Sequence, residues 1–135
     1  MNISIIGAGY VGLSLASLLN DKNKIIIYDI DENKINMINN HCSPIKDSEI
    51  EKYFNENQKI FKGTMNFDEI INNKPEFIII CVSTNFDEEL NSFDTSNVEN
   101  VIKKICDYKI KTTIVIKSTV PIGFTEQIKR KYNIT

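Results

Sequence analysis

Histidine is nearly absent from this chain, with His41 the sole one among 135 residues. It stands in a polar loop with no second metal ligand and no acidic neighbour placed to orient it. It therefore reads as a surface residue, not a zinc ligand or a triad base. Cysteine is scarce and odd in number: Cys42, Cys81 and Cys106 are widely spaced and form no CxxC pair. That argues against a disulfide framework and against a structural zinc site, and for reduced thiols in a cytoplasmic protein. No apolar run approaches bilayer length, and the first residues are not built like a signal peptide, so no membrane association is expected. The net charge of -2 leaves no large basic surface for nucleic acid or acidic lipid. Glycine is uncommon outside one place, because three of the five lie within residues 7–12.

The remaining composition is that of an ordinary globular chain, 41% hydrophobic and 25% charged, long enough for one domain with one sizeable core over residues 1–135. Residues 2–6 read as a short apolar strand, followed by a helix over 10–20 with Val11, Leu15, Leu18 and Leu19 on one face. Gly12 and Ala16 add small residues that would let this helix lie close to a sheet. A second strand spans 24–29, and Asp31 caps a helix that buries Ile35 and Ile38. Ser48 opens a capping box and a short helix with Ile50, Tyr53 and Phe54. A strand over 60–64 and a helix over 67–73, ended before Pro75, come next.

Phe77 to Val82 is a continuous apolar run, which suits a strand buried on both faces. A polar loop over 83–94 leads to a second capping box at Ser96 and a helix whose apolar face is Val98, Val101, Ile102, Ile105 and Cys106. A strand over 112–117, a turn over 118–123 and a helix with Phe124, Ile128 and Tyr132 on one side complete the pattern. Cys81 and Cys106 read as small core hydrophobes, and nothing near Cys42 would activate it as a nucleophile. Strands alternating with amphipathic helices predict an α/β fold, a parallel sheet with helices on both faces.

The glycines carry the chemistry. Gly7-Ala8-Gly9-Tyr10-Val11-Gly12 matches G-x-G-x-x-G, and it follows a strand and opens a helix, the context that pattern requires. Gly7 permits the tight turn, Gly9 lets a pyrophosphate approach the backbone, and Gly12 lets the helix pack against the strand. The unpaired N–H groups and positive dipole end of the helix then face the phosphates. Asp29 ends the second strand at the separation expected for an acceptor of adenosine ribose hydroxyls, and it would repel a 2′-phosphate, so NAD is expected over NADP. Asp31 competes for this role but is better placed to cap the next helix. Lys34 reads equally well as a ribose contact or a solvated helix lysine.

Ser83 and Thr84, and likewise Ser118 and Thr119, lie just past the ends of two strands, where open α/β sheets bind ligands. Capping of a helix or turn explains the same hydroxyls equally well.

These motifs together resemble the N-terminal part of the UDP-glucose 6-dehydrogenases, within the UDP-glucose/GDP-mannose dehydrogenase family. The likeness rests on Gly7 to Leu13, Asp29 to Lys34, Ser43-Pro-Ile45, Phe93-Asp-Thr95 and Lys117 to Gly123, in the family's order along nearly the whole chain. It implies a Rossmann-type doubly wound sheet, incomplete at its C-terminal edge. It implies a pyrophosphate turn of Gly7, Gly9, Tyr10, Val11 and Gly12, a ribose held by Asp29 and Lys34, and a cofactor contact from Thr84. Thr119 would lie near the nicotinamide in a supporting catalytic role. Ser83 departs from the proline that relatives often place before the threonine.

The family oxidises a sugar alcohol to a carboxylate with two NAD, through a thioester on a cysteine nucleophile. None of the three cysteines here matches that nucleophile's motif, and the UDP-sugar-binding domain lies farther along the family's chain. The expectation is an NAD(H)-binding domain that catalyses nothing alone. The alternatives are the same domain of a UDP-N-acetylmannosamine or GDP-mannose dehydrogenase, or a non-catalytic interaction fragment whose exposed sheet edge pairs with a second copy, as a homodimer, or with the remainder of a longer chain.

Overall fold

A computed structural model describes residues 1–57, 60–88 and 92–134. The chain opens with β1 (Asn2–Ile6), α1 (Tyr10–Leu19), β2 (Lys24–Tyr28), α2 (Glu32–Asn39), α3 (Ser48–Glu56), β3 (Lys62–Thr64), α4 (Phe67–Asn72) and β4 (Phe77–Ile80). It continues through β5 (Asn85–Asp87), β6 (Ser92–Asp94), α5 (Ser96–Asp107), β7 (Thr113–Ile116) and α6 (Phe124–Tyr132). Five of the strands form one sheet in the order β3-β2-β1-β4-β7. All four pairings within it are parallel, with Ile5 opposite both Ile27 and Ile79.

Isoleucine builds the sheet. Its branched side chain suits the pleated backbone, and neighbouring residues point to opposite faces. On one face Ile3, Ile5, Ile25, Ile27 and Ile79 pack with Leu13 and Ala16 of α1, Ile35 and Ile38 of α2, and Ile50 and Phe54 of α3. On the other, Ile6, Ile26, Ile78 and Ile80 pack with Phe67 and Ile70 of α4, Val98, Ile102 and Ile105 of α5, and Phe124 and Ile128 of α6. The sheet is therefore doubly wound, as expected, and its strands read as unbroken apolar runs because both faces are covered. Among the described residues β7 is an edge strand, paired on one side by β4.

Several local expectations are corrected. The buried face of α1 is Gly12, Leu13 and Ala16, while Val11 and Leu18 are exposed. The close approach that Gly12 allows turns the helix so that Gly12 and Ala16, with Leu13 between them, meet the sheet. The capping residue of α3 is Asp47, whose carboxylate accepts from the Glu49 and Ile50 amides. Ser96 is also no cap: Thr95 holds that position without a side-chain bond, and the Ser96 amide donates to Asp94. A carboxylate is the stronger acceptor and takes the helix-end amides in preference to a neighbouring hydroxyl. Asp31 does cap α2, as expected.

The strands at 62–64, 77–80 and 113–116 are shorter than the expected spans of 60–64, 77–82 and 112–117. The polar loop after β4 contains an antiparallel pair, β5 with β6, in which Phe86 lies opposite Phe93 with ring centroids 5.2 Å apart.

Candidate functional site

The first strand, turn and helix are joined by a few specific contacts. The amide of Gly7 donates to the carbonyl of Tyr28 at 2.8 Å, which continues the β1–β2 ladder one residue past the strand. Gly7 then adopts φ 109, a left-handed conformation that favours glycine. A side chain there would also press on the Cys81 carbonyl carbon and oxygen, at 2.8 and 2.5 Å. Gly12 has the opposite constraint: a Cβ would sit 1.9 Å from the Gly7 carbonyl oxygen. Gly9, between them, has nothing within 4 Å of where its Cβ would be. Two glycines are thus required by the fold, and the third leaves open space in front of a helix end.

That helix end has no side chain of its own over it. Gly9 is the N-cap of α1, and no acidic residue lies in the first turn. The first intrahelical amide bond runs from Leu13 to the Gly9 carbonyl at 2.9 Å, so the amides of Tyr10, Val11 and Gly12 have no intrahelical acceptor. Such a terminus attracts an anion through both its donors and its dipole.

A cleft of about 810 Å³ opens at this point, at the carboxyl ends of the central strands. Gly7, Gly9, Tyr10, Val11, Asp29, Lys34, Thr84 and Thr119 all line it. Gly12 does not; it lies behind the turn and sets the packing of α1. Asp29 Oδ2 accepts from the Ala8 amide at 2.7 Å and Oδ1 from the Asp31 amide at 2.9 Å. The two hydroxyl-bearing turns are tied together, because Ser118 Oγ donates to the Val82 carbonyl at 2.7 Å. Ser118 therefore has a structural partner, while Thr119 is exposed at the cleft. His41 is exposed with φ 61 and does not line the cleft.

The cleft also includes residues that the sequence did not single out. Asn97, Asn100, Val101 and Lys104 enter it from one flank of α5. Their i, i+3, i+4, i+7 spacing was the available signal, but it overlaps the apolar face that covers the sheet. Lys104 is held with its ammonium 4.1 Å from the centroid of the Phe67 ring. Lys117 also lines the cleft, so with Lys34 and Lys104 three lysines stand around it.

Cys81 is half-buried against one core and lines the cleft, instead of lying wholly within the core. Burial pushes its thiol up to about 11, the Lys117 charge opposing this only in part. Burial likewise raises the Cys106 thiol. Neither has the electropositive setting of a nucleophilic thiolate. Among the described residues no cluster of three or more metal-ligating side chains occurs.

A family model described as UDP-glucose/GDP-mannose dehydrogenase family, NAD binding domain, matches residues 1–134. The chain belongs to this family. It is the family's NAD-binding domain, and NAD is the cofactor of that domain. The chain is 49% identical to a UDP-glucose 6-dehydrogenase of Campylobacter jejuni, over all of this chain and 35% of the relative. It is 44% identical to a UDP-glucose 6-dehydrogenase of Streptococcus pneumoniae, over 98% of this chain and 34% of the relative. Among solved structures, a ternary complex of GDP-mannose dehydrogenase from Pseudomonas aeruginosa superposes with a TM-score of 0.85 at 27% identity, covering 98% of this chain and 33% of that one.

The chain thus spans about a third of the length of these dehydrogenases. The site suits a dinucleotide on its own terms: the vacant Cβ position of Gly9, the uncapped helix end and the carboxylate of Asp29 supply space, donors and acceptor in the order that a pyrophosphate and a ribose need.

Proposed function

We propose that this domain holds NAD for a protein that oxidises UDP-glucose to UDP-glucuronate. Converting a primary alcohol to a carboxylate removes four electrons, so each turnover uses two NAD. Bound in the cleft, NAD supplies the two-electron acceptor. The chain's own residues do the holding. The turn at Gly7, Gly9, Tyr10 and Val11 receives the pyrophosphate, and Gly12 keeps α1 against it. Asp29 and Lys34 receive the adenosine ribose, and Asp29 disfavours a 2′-phosphate by charge. Thr84 and Thr119 serve the nicotinamide end, with Thr119 exposed where a sugar alcohol would approach.

One observation carries this reading: a single cleft at the strand ends collects eight of the nine residues that the family motifs mark. UDP-glucose is preferred as substrate because the relatives at 49% and 44% identity are UDP-glucose 6-dehydrogenases, whereas a GDP-mannose 6-dehydrogenase of Pseudomonas syringae stands at 33%. The domain alone turns over no sugar, since neither half-buried cysteine is set up as a nucleophile and Cys42 lies outside the cleft. A cytoplasmic location belongs to this reading and fits three free thiols.

Calorimetric titration of the chain with NADH and NADPH tests the cofactor role. NADH is expected to bind and NADPH to bind at least about tenfold more weakly, one tenfold step being about 1.4 kcal/mol. Loss of NADH binding is expected in Asp29→Ala; equal binding by that variant would overturn the assignment of Asp29. NADH formation by the complete gene product, offered UDP-glucose, GDP-mannose or UDP-N-acetylmannosamine, decides the sugar.

A second reading, association of the chain with another copy, is favoured by the side of β7 that no strand among the described residues covers. Sedimentation over a range of concentrations tests it, and a species that stays monomeric counts against it.

A further inference from the structure

Both oxygens of Asp29 hold backbone amides of the protein itself. Oδ2 accepts from Ala8 in the glycine turn, and Oδ1 accepts from Asp31, which in turn caps α2 through the Asn33 and Lys34 amides. Ala8 is fully buried, so its amide has no water to fall back on if the carboxylate is lost. Within the turn, the Gly7 amide is fixed by the β1–β2 ladder and the Leu13 amide by the helix. The peptide between Gly7 and Ala8 is fixed by Asp29.

We propose that Asp29 is a positioning residue for the diphosphate end of the site, holding the Gly7–Tyr10 turn so that the first amides of α1 point into the cleft. The proposal rests on the reading of the cleft as a dinucleotide site, and it adds a role that does not depend on the ribose. The two roles coexist because an ionised carboxylate has about four lone-pair sites, of which two are taken by Ala8 and Asp31, leaving two for a ribose diol. An amide in its place could accept from one backbone N–H but would direct its own N–H₂ at the other. Charge-assisted bonds of this kind are also stronger than neutral ones.

Inorganic pyrophosphate, which has no ribose, is the probe. It is titrated into the ¹⁵N-labelled chain while the Tyr10 and Val11 amide resonances are followed, with NADH titrated in parallel. Asp29→Asn is expected to weaken pyrophosphate by about tenfold, the scale of one bond to a charged group. The Ala8 amide should exchange with solvent at least about tenfold faster in the variant, while the ladder residues Ile5 and Ile27 keep their protection and show the fold intact.

If Asp29→Asn weakens NADH but binds pyrophosphate as the unsubstituted chain does, Asp29 acts on the ribose alone and the proposal is overturned. It is also overturned if pyrophosphate moves no α1 amide in the unsubstituted chain. Should the variant fail to fold, exchange in the unsubstituted chain decides: an Ala8 amide protected like Ile5 supports the clasp, and one exchanging as freely as Gly9 refutes it. A chain that binds pyrophosphate but not NADH would remove the dinucleotide reading while leaving the effect of Asp29 on the turn measurable.

Discussion

Three glycines of one motif have three different physical reasons to be glycine, and substitution separates them. At Gly9 the backbone is extended, with φ -96 and ψ -169, and a Cβ would meet nothing. Gly9→Ala should therefore cost no more than about 1 kcal/mol in stability, the scale of an N-cap change, yet weaken NADH by at least about tenfold because the methyl occupies pyrophosphate space. Gly12→Ala should act through the fold instead. Its Cβ would sit 1.9 Å from a backbone oxygen, so chemical denaturation should show a loss of about 3 kcal/mol, the upper end for overpacking.

The cysteines separate in the same way. Cys42 is exposed and should react first with a thiol reagent near neutral pH. Cys81, whose thiol is pushed up from 9.0 to about 11, should react slowly although it lines the cleft. Because its folded value is raised, folding favours the neutral thiol. The stability tied to that thiol is fully present below pH 9.0 and lost as the pH rises through about 11. Melting temperatures of Cys81→Ser and the unsubstituted chain, compared across that window, check this: the variant's curve should be the flatter one.

At the scale of elements, the site depends on two strand ends staying together. β4 and β7 pair over Phe77 to Ile80 and Thr113 to Ile116, and beyond the ladder the Ser118 hydroxyl holds the Val82 carbonyl. Ser118→Ala should cost about 1 kcal/mol of stability, the net value of one such bond, and loosen the turn that presents Thr119. The expected result is weaker NADH binding together with a melting temperature lower by about 4 °C. Binding equal to the unsubstituted chain would show that β4 and β7 hold the turns without it. Helix α5 serves two surfaces at once, with Val98, Ile102 and Ile105 covering the sheet and Asn97, Asn100 and Lys104 entering the cleft. It is linked to α6 through Glu99, which accepts from both Lys131 and Tyr132.

Across the whole molecule, ligand binding and folding are coupled because the cleft borders both cores. Its walls come from residues of β1, β2, α1, α2, α4 and α5 and from the turns after β4 and β7. A ligand that binds only the folded chain stabilises it by about 2.7 kcal/mol at a hundred times its Kd. NADH should therefore raise the melting temperature in a concentration-dependent way, and NADPH should do so only at much higher concentration. Scanning fluorimetry of the chain with each nucleotide checks this; equal shifts would remove the discrimination assigned to Asp29. The dehydrogenases that match at 49% and 44% identity are about three times as long as this chain.

Although the β5–β6 pair reads as a loop, the order along the chain of the five strands of the parallel sheet and of the helices between them, the covering of that sheet on both faces and the dinucleotide turn were legible in the sequence. Each is written in spacing over a few neighbouring residues: apolar runs of strand length, helical periodicity, glycines at fixed offsets and an acid at the end of the second strand. What the sequence left open depends on contacts between distant segments. Only the tertiary structure decided that Val11 and Leu18 stay exposed while Gly12 and Ala16 meet the sheet, because how closely α1 approaches β1 is set by the turn beneath it. Only it brought the flank of α5 into the cleft and paired Phe86 with Phe93. Only it showed that Asp29, readable in the sequence as a ribose acceptor, already holds the glycine turn across 21 residues of chain through the Ala8 amide.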